Sequence, residues 1–216
     1  MPYEQTYFTK CKYPKKQQLI ERHVLEVLKW ANQTFQTNLL NGKGKRALDV
    51  GCALGFTSRV LLGLGYETYG VDISSWGAKQ AKLAGGGEFL VCDAQTALPL
   101  KTEAFDLVTC FDVLEHMSDP ERALLGMLEA CKDTLVCTTP NRRVEKPLRK
   151  LLGDYDQTHI STKTPREWQT AAAQLPAQSG RVEAFYDLAV RFGGKLFFKS
   201  FSLPTYGLTV RIAIRK

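Results

Sequence analysis

The heptapeptide FDVLEHM, residues 111–117, holds Asp112, Glu115 and His116 together, and His116 is one of only three histidines in the chain. Imidazole titrates near neutrality, so His116 is a candidate for moving a proton, with two carboxylates close by in sequence. A second stretch is suited to holding a ligand. ALDVGCALGFTS, residues 47–58, sets Asp49, Gly51 and Gly55 between an apolar run and a helix-like segment. Glycine allows a ligand to approach the backbone, and the first turn of the following helix offers N–H groups.

Elements must position these residues. Residues 15–37 place Leu19, His23, Val27 and Trp30 at three- and four-residue steps, which predicts an amphipathic helix ended by NGKGK at 41–45. RALDV reads as a buried strand leading through the glycine turn into a helix at SRVLLGL. YETYGVDI is a second strand, SSWGAKQAKLA a helix with a serine N-cap, and GGGEFLVCD a turn and third strand. AFDLVTCFDVL begins as a fourth strand. DPERALLGMLEACK is a helix capped by Asp119 with Pro120 at its first position, and DTLVCTTP is a fifth strand. Strands alternating with helices predict a parallel sheet covered on both faces. Beyond Pro140 come a basic helical stretch (RRVEKPLRKLL), the segment THISTKTPREW opening a further helix, and two β-like runs, RVEAFYDLAV and YGLTVRIAIRK. That last pair is expected to close the sheet as a hairpin.

At 216 residues, 44% apolar and 24% charged, the chain has the make-up of one globular domain. It contains no run of 18 apolar residues, so no membrane span is expected. The N-terminus is polar and aromatic and lacks the apolar core of a secretory signal. Six cysteines without a CxxC pair read as reduced thiols, which points to a cytoplasmic protein. Charge is unevenly spread. Residues 1–48 carry nine Lys/Arg against three Asp/Glu, residues 49–140 six against thirteen, and residues 141–216 fourteen against six. An acidic middle is flanked by two basic segments.

Three kinds of ligand sit on strand–glycine–helix turns. A dinucleotide pattern G-x-G-x-x-G needs glycines where this chain has Gly51, Ala53 and Phe56, and a phosphate loop needs Lys-Ser/Thr where Gly55 is followed by Phe-Thr. Both patterns fail, and with the first a nicotinamide-dependent oxidoreductase is disfavoured. What remains, D-x-G-x-[GA]-x-G, resembles motif I of the class I S-adenosylmethionine-dependent methyltransferases, with Ala53 in place of the middle glycine. The resemblance continues in order through Asp72 in YGVDIS, CDAQTALPL with Asp93, FDVLEHMSDPERAL and LVCTTPN, covering about residues 46–140 and faintly on to Trp168.

The resemblance implies an α/β fold: a Rossmann-like three-layer α/β/α sandwich with a mostly parallel seven-stranded sheet and an antiparallel C-terminal hairpin strand. One methyltransferase domain would then span residues 1–216. Within it, 1–40 form an N-terminal helical extension or lid, 45–140 the cofactor-binding core, and 141–216 the substrate-side segment and hairpin. The cofactor implied is S-adenosylmethionine, leaving as S-adenosylhomocysteine. Asp72 would hold the ribose hydroxyls in a charge-assisted pair of hydrogen bonds, where the alternative is a helix N-cap. Asp93 with the amide of Ala94 would read the adenine, where the alternative is a turn residue. Asp49 would support the loop and the ligand's amino group. Gly51, Cys52, Ala53, Gly55, Ile73, Phe111, Asp112 and Val113 complete the implied cofactor contacts.

For the chemistry, three readings of FDVLEHM stay open. Asp112 and Val113 line the cofactor pocket while Glu115 and His116 brace the loop; or His116 is a general base for a hydroxyl; or Asp112, Glu115, His116 and His159 hold a divalent metal ion. The last rests on the similarity of D-x-x-E-H plus His159 to the E-x-x-E-H plus distant histidine of small-RNA 2′-O-methyltransferases and ubiquinone-pathway O-methyltransferases. A metal is not the favoured reading, and His116, Glu115 and His159 are the candidate catalytic residues. THISTKTPREW resembles a substrate-bordering loop in which a His-hydroxyl segment and a tryptophan, here Trp168, face the acceptor. Thr164, Pro165 and Glu167 within it also form a helix start.

The favoured acceptor is a hydroxyl or amine of a small metabolite of anionic character. It would be met by Arg142, Arg143, Lys146, Arg149 and Lys150 on one side and Lys10, Lys12, Lys15 and Lys16 on the other. Nucleic acid, including tRNA, fits the same electrostatics, but no RNA-binding module or N-P-P-[FY] motif is present. A non-catalytic cofactor-binding subunit that activates a partner is a further alternative. Tyr3, Tyr7 and Phe8 are expected either to close over the site or to pack on the core. The oligomeric state has no signature in the sequence.

Overall fold

A computed structural model describes residues 3–96, 98–152 and 157–216; the side chains of Arg149 and Leu152 lie outside that description. Helices α1 (Gln5–Lys10) and α2 (Gln17–Phe35) precede the sheet, joined by a 3₁₀ turn at Tyr13–Lys16. Then β1 (Arg46–Val50), α3 (Phe56–Gly63), β2 (Glu67–Asp72), α4 (Ser75–Leu83), β3 (Glu88–Val91), β4 (Phe105–Phe111), α5 (Pro120–Ala130) and β5 (Cys131–Pro140) alternate as the pattern predicts. The chain ends with α6 (Arg142–Leu152), α7 (Pro165–Ala173), β6 (Ser179–Phe192), β7 (Lys195–Ser202) and β8 (Thr209–Arg215).

The helix starts follow their capping chemistry. Asp119 accepts the Arg122 N–H at 3.0 Å ahead of Pro120. Ser74 accepts the Gly77 N–H at 2.9 Å, and Thr164 and Glu167 form a reciprocal capping box before Pro165. These devices satisfy N–H groups that have no partner inside the helix.

The sheet has eight strands in the order β3-β2-β1-β4-β5-β8-β6-β7. Strands β1 to β5 are parallel, while β8 is antiparallel to β5, β6 to β8, and β7 to β6. The count exceeds the expected seven. The last two predicted runs do pair, as β6 and β8, but the tight hairpin joins β6 to the unpredicted β7 through Gly193 and Gly194. In KLFFKSFS the exposed residues include Phe197 as well as Lys195 and Lys199, so the period-two signal is blurred. Lysines on that edge strand discourage pairing with another sheet.

Side chains of β1 alternate between two cores. Leu48 and Val50 pack with Leu124, Met127, Leu128 and Trp168 on one face, and Ala47 with Val24, Val27, Leu28 and Leu61 on the other. Helices α5 and α7 therefore cover one face and α2 and α3 the other, leaving the carboxyl ends of β1–β5 to meet a ligand. Among the described residues no helix is long and apolar enough to cross a membrane. All six cysteines are thiols.

Candidate active site

After β1 the chain turns through Gly51 (φ 75°), Ala53 (φ 48°) and Gly55 (φ 74°) into α3. The N–H groups of Gly51 and Cys52 donate to the Val71 carbonyl on β2, at 2.8 and 3.1 Å. A Cβ at residue 51 would stand 2.2 Å from Val113 Cγ2, so this position needs glycine for space as well as for its dihedral. Ala53 accepts a left-handed conformation that few residues adopt, and its N–H donates to Asp72 Oδ2 at 2.7 Å. Asp72 Oδ1 accepts the Ser74 N–H at 2.7 Å. Asp72 thus ties the glycine turn to the end of β2, and the cap of α4 belongs to Ser74. Burial pushes the Asp72 carboxyl upward, against the pull of these two N–H bonds.

Asp49 lies beneath the turn, accepting Ser58 Oγ at 2.6 Å and Thr109 Oγ1 at 3.2 Å. Burial pushes its pKa up to about 7 despite both hydroxyls. The folded chain then binds a proton that the unfolded chain releases above a pKa of about 4. Stability from this residue is therefore full at low pH and declines as pH rises from about 4 through about 7. Between pH 5 and pH 8, wild type is expected to lose ~2–4 kcal/mol more than Asp49→Asn. Urea denaturation of both proteins at the two pH values checks this.

One cavity of about 620 Å³ joins the strand ends, within the range of about 300–1,000 Å³ for small-molecule sites. It is lined by Gly51, Ala53, Asp72, Ile73, Asp93, Ala94, Phe111, Asp112 and Val113. Asp93 is held at the end of β3 by accepting the Gln95 N–H at 3.0 Å. Of the expected cofactor contacts, Asp49, Cys52 and Gly55 are not among the lining residues and support the turn from behind. The N-terminal segment also lines the cavity: Tyr13 stacks on Phe56 at 5.4 Å, and Tyr3 meets His116 edge-on at 5.6 Å.

The same cavity is lined by Glu115, His116 and His159. His116 Nδ1 lies 3.1 Å from the Thr158 carbonyl, which can only accept, so that nitrogen carries a proton. Nε2 is 4.0 Å from Glu115 Oε1. His159 Nδ1 pairs with the Glu145 carboxylate in the same way. Glu115 Oε2 accepts Thr139 Oγ1 at 3.1 Å, and burial, then the nearby Asp112, push its carboxyl well up. One ligand atom from each of Glu115, His116 and His159 lies within 4.8 Å of the others. Asp112, expected as a fourth, is not in that group. At φ 53° its N–H donates to the Thr138 carbonyl and its carboxylate accepts Thr138 Oγ1 at 3.0 Å.

Other expected residues are placed differently. Trp168 does not border the cavity; it is fully buried in the core beside α5, with the Lys163 ammonium over its ring. Of the basic residues on the two flanks, Lys16 lines the cavity, while Arg142 donates to Glu167 at 2.5 Å and Lys10, Lys12, Lys15, Lys146 and Lys150 are exposed. Arg149, named on the same flank, has its side chain outside the described residues. Conversely, His23 on α2 and Asp187 on β6 also line the cavity. The helical period marks His23 only as part of an apolar face.

Residues 18–175 match the family model described as a methyltransferase domain. A ubiquinone biosynthesis O-methyltransferase from Paraburkholderia phymatum is 33% identical over 122 residues, 51% of this chain and 50% of that protein. The chain spans about half the length of the curated relatives it matches. A crystal structure of an S-adenosylmethionine-dependent methyltransferase from Archaeoglobus fulgidus superposes with a TM-score of 0.71 at 17% identity, covering 98% of this chain and 100% of that one. Magnesium protoporphyrin IX methyltransferase from Synechocystis, solved with bound S-adenosylhomocysteine, gives 0.61 at 18% identity over 91% and 83%. At these identities the two structures establish a shared fold.

Proposed function

This chain belongs to the family of S-adenosylmethionine-dependent methyltransferases, and from that premise we propose that it methylates a hydroxyl group of a small organic molecule. The reading is carried by one observation: the glycine turn with Asp72 and Asp93 and the Glu115–His116–His159 group line the same cavity. S-adenosylmethionine fits the glycine-turn residues. Each Asp72 oxygen accepts one backbone N–H and keeps lone-pair capacity for ribose hydroxyls, and the missing Cβ at Gly51 leaves the turn close to Val113. When bound, the cofactor supplies an electrophilic methyl group on a sulfonium.

What the chain itself contributes is positioning and exclusion of water. Tyr3, Tyr7, Phe8 and Tyr13 help wall the cavity. Glu115, His116 and His159 give the cavity a polar side for a hydroxyl-bearing acceptor, and an amine would meet the same groups. Lys16 at the cavity supports an acceptor of anionic character. Among the described residues the basic flanks contribute no other cation to the cavity lining, which favours a small molecule over nucleic acid. The relative named as an O-methyltransferase supports oxygen as the target. Transfer of label from methyl-labelled S-adenosylmethionine to a panel of phenols, with the matching anilines beside them, tests the reading. Labelled phenols alone support it; labelled anilines alone contradict the hydroxyl assignment.

A second reading adds a divalent ion, favoured by the partners behind each donor. Thr158 and Glu145 fix the histidine tautomers that direct Nε2 outward from their ring partners, and Thr139 holds Glu115. Such outer partners orient metal-binding groups. Glu115, His116 and His159 would hold the ion, which would lower the pKa of an acceptor hydroxyl. Calorimetric titration with Mn²⁺ is then expected to show binding weakened by roughly 10–100-fold in Glu145→Gln. Turnover unchanged in EDTA contradicts this second reading.

A further inference from the structure

The same cavity is also lined by α2 and by the β6–β7 hairpin. From α2 come Leu19, Ile20 and His23; from the hairpin come Asp187, Ala189 and Phe198. In register, Asp187 faces Ser200 and Ala189 faces Phe198 across the hairpin. Asp187 is held from two sides: Oδ1 accepts Ser200 Oγ, and Oδ2 lies 2.6 Å from His23 Nδ1. His23 also stacks on Phe185 at 5.6 Å and meets Phe111 edge-on at 6.0 Å, so the ring plane is fixed. Its Nε2 lies 3.4 Å from Thr138 Oγ1, which is itself 3.0 Å from Asp112 Oδ1.

We propose that His23 is a catalytic residue that takes the proton of the acceptor's hydroxyl, with Asp187 as its positioning residue, and that the cavity beside them binds an acceptor whose hydroxyl sits on an aromatic or apolar body. The inference rests on the hydroxyl-methylation reading above. A carboxylate at Nδ1 fixes the tautomer with its lone pair at Nε2 and opposes the charge that arrives with a proton. In the step, the acceptor O–H bond breaks, the Nε2–H bond forms, and the electron pair stays on the acceptor oxygen. The apolar walls come from Phe111, Ile20, Ala189 and Phe198. His116 and His159 are placed differently, close to each other and to Glu115, which suits gripping an oxygen more than storing a proton.

Burial works against charge on His23, yet the Asp187 hydrogen bond and the carboxylates of Asp112 and Asp187 hold its pKa above the ordinary imidazole value, with Arg211 on β8 pulling the other way. Lys16 is the further cation lining the same cavity. Activity that needs neutral His23 should therefore rise with pH through a limb above about 6.5. Removing the Asp187 charge lowers the pKa and moves that limb to lower pH.

The test uses 4-nitrophenol, whose ionised form is yellow, and needs no methyl donor. Bound to wild type below the dye's own pKa, it is expected to be more ionised than in free solution. His23→Gln should abolish that enrichment, keep S-adenosylhomocysteine affinity within about twofold, and reduce kcat/KM for phenol methylation by roughly 10²–10⁴-fold. Asp187→Asn, which keeps the shape, should shift the acidic limb downward with a smaller loss. No enrichment in wild type, or enrichment and pH limb both intact in His23→Gln, overturns the proposal. Because the dye readout is independent of methyl transfer, a failure here is distinct from a failure of the hydroxyl-methylation reading.

Discussion

Asp72→Ala is expected to raise the dissociation constant for S-adenosylhomocysteine by roughly 100–1,000-fold, the equivalent of about 3–4 kcal/mol. Two effects combine. The ribose would lose a charge-assisted acceptor, and hydrogen bonds to charged groups are worth about 1.5–3 kcal/mol each. The N–H groups of Ala53 and Ser74 would also lose the carboxylate that ties the glycine turn to β2. Asp72→Asn separates the two, since its single carbonyl oxygen can keep one N–H but carries no charge. Calorimetry should rank wild type, Asn and Ala in falling affinity. An Asn variant equal to Ala would mean that charge, and not turn geometry, governs the site.

Gly51→Ala should be the second large loss. Its Cβ would stand 2.2 Å from Val113 Cγ2 at a φ of 75°. The left-handed backbone alone costs an L-residue roughly 1–2 kcal/mol, and overpacking adds typically ~1–3 kcal/mol. At about 2–4 °C per kcal/mol for a chain of this size, a fall of roughly 5–15 °C in Tm is expected, with no measurable S-adenosylhomocysteine binding. Adding Val113→Ala removes the overlap but not the dihedral cost. The double variant should recover part of the stability and only part of the affinity. Full recovery would show that the clash was the whole effect.

The legible parts of this molecule are those whose signals are local. The five parallel strands each end in a turn with its own chemistry, glycine after β1 and a carboxylate after β2 and β3, and Asp119–Pro120 and Thr164–Pro165 mark helix starts within a few residues. Strand β7 carries Phe197 on an exposed side, so its alternation does not announce an inner and an outer face. Contacts between distant segments left no local signal. His23 and Asp187 are 164 residues apart, and an imidazole on the apolar stripe of α2 looks like core until β6 brings a carboxylate to it. Asp112 shares a spacing with metal-binding motifs, yet its positive φ and Thr138 take its carboxylate away from Glu115, His116 and His159. Trp168 follows a His-hydroxyl loop in sequence, yet the core beside α5 claims its ring.

The central claim is that the turn at Gly51, with Asp72 and Asp93, is built for S-adenosylmethionine. Calorimetric titration of the full chain with S-adenosylhomocysteine, and separately with NAD, tests it most directly. The expected result is one saturable site for S-adenosylhomocysteine, abolished or strongly weakened in Asp72→Ala, and no heat of binding with NAD. Saturable NAD binding, or no binding of S-adenosylhomocysteine by a folded wild type, would contradict it.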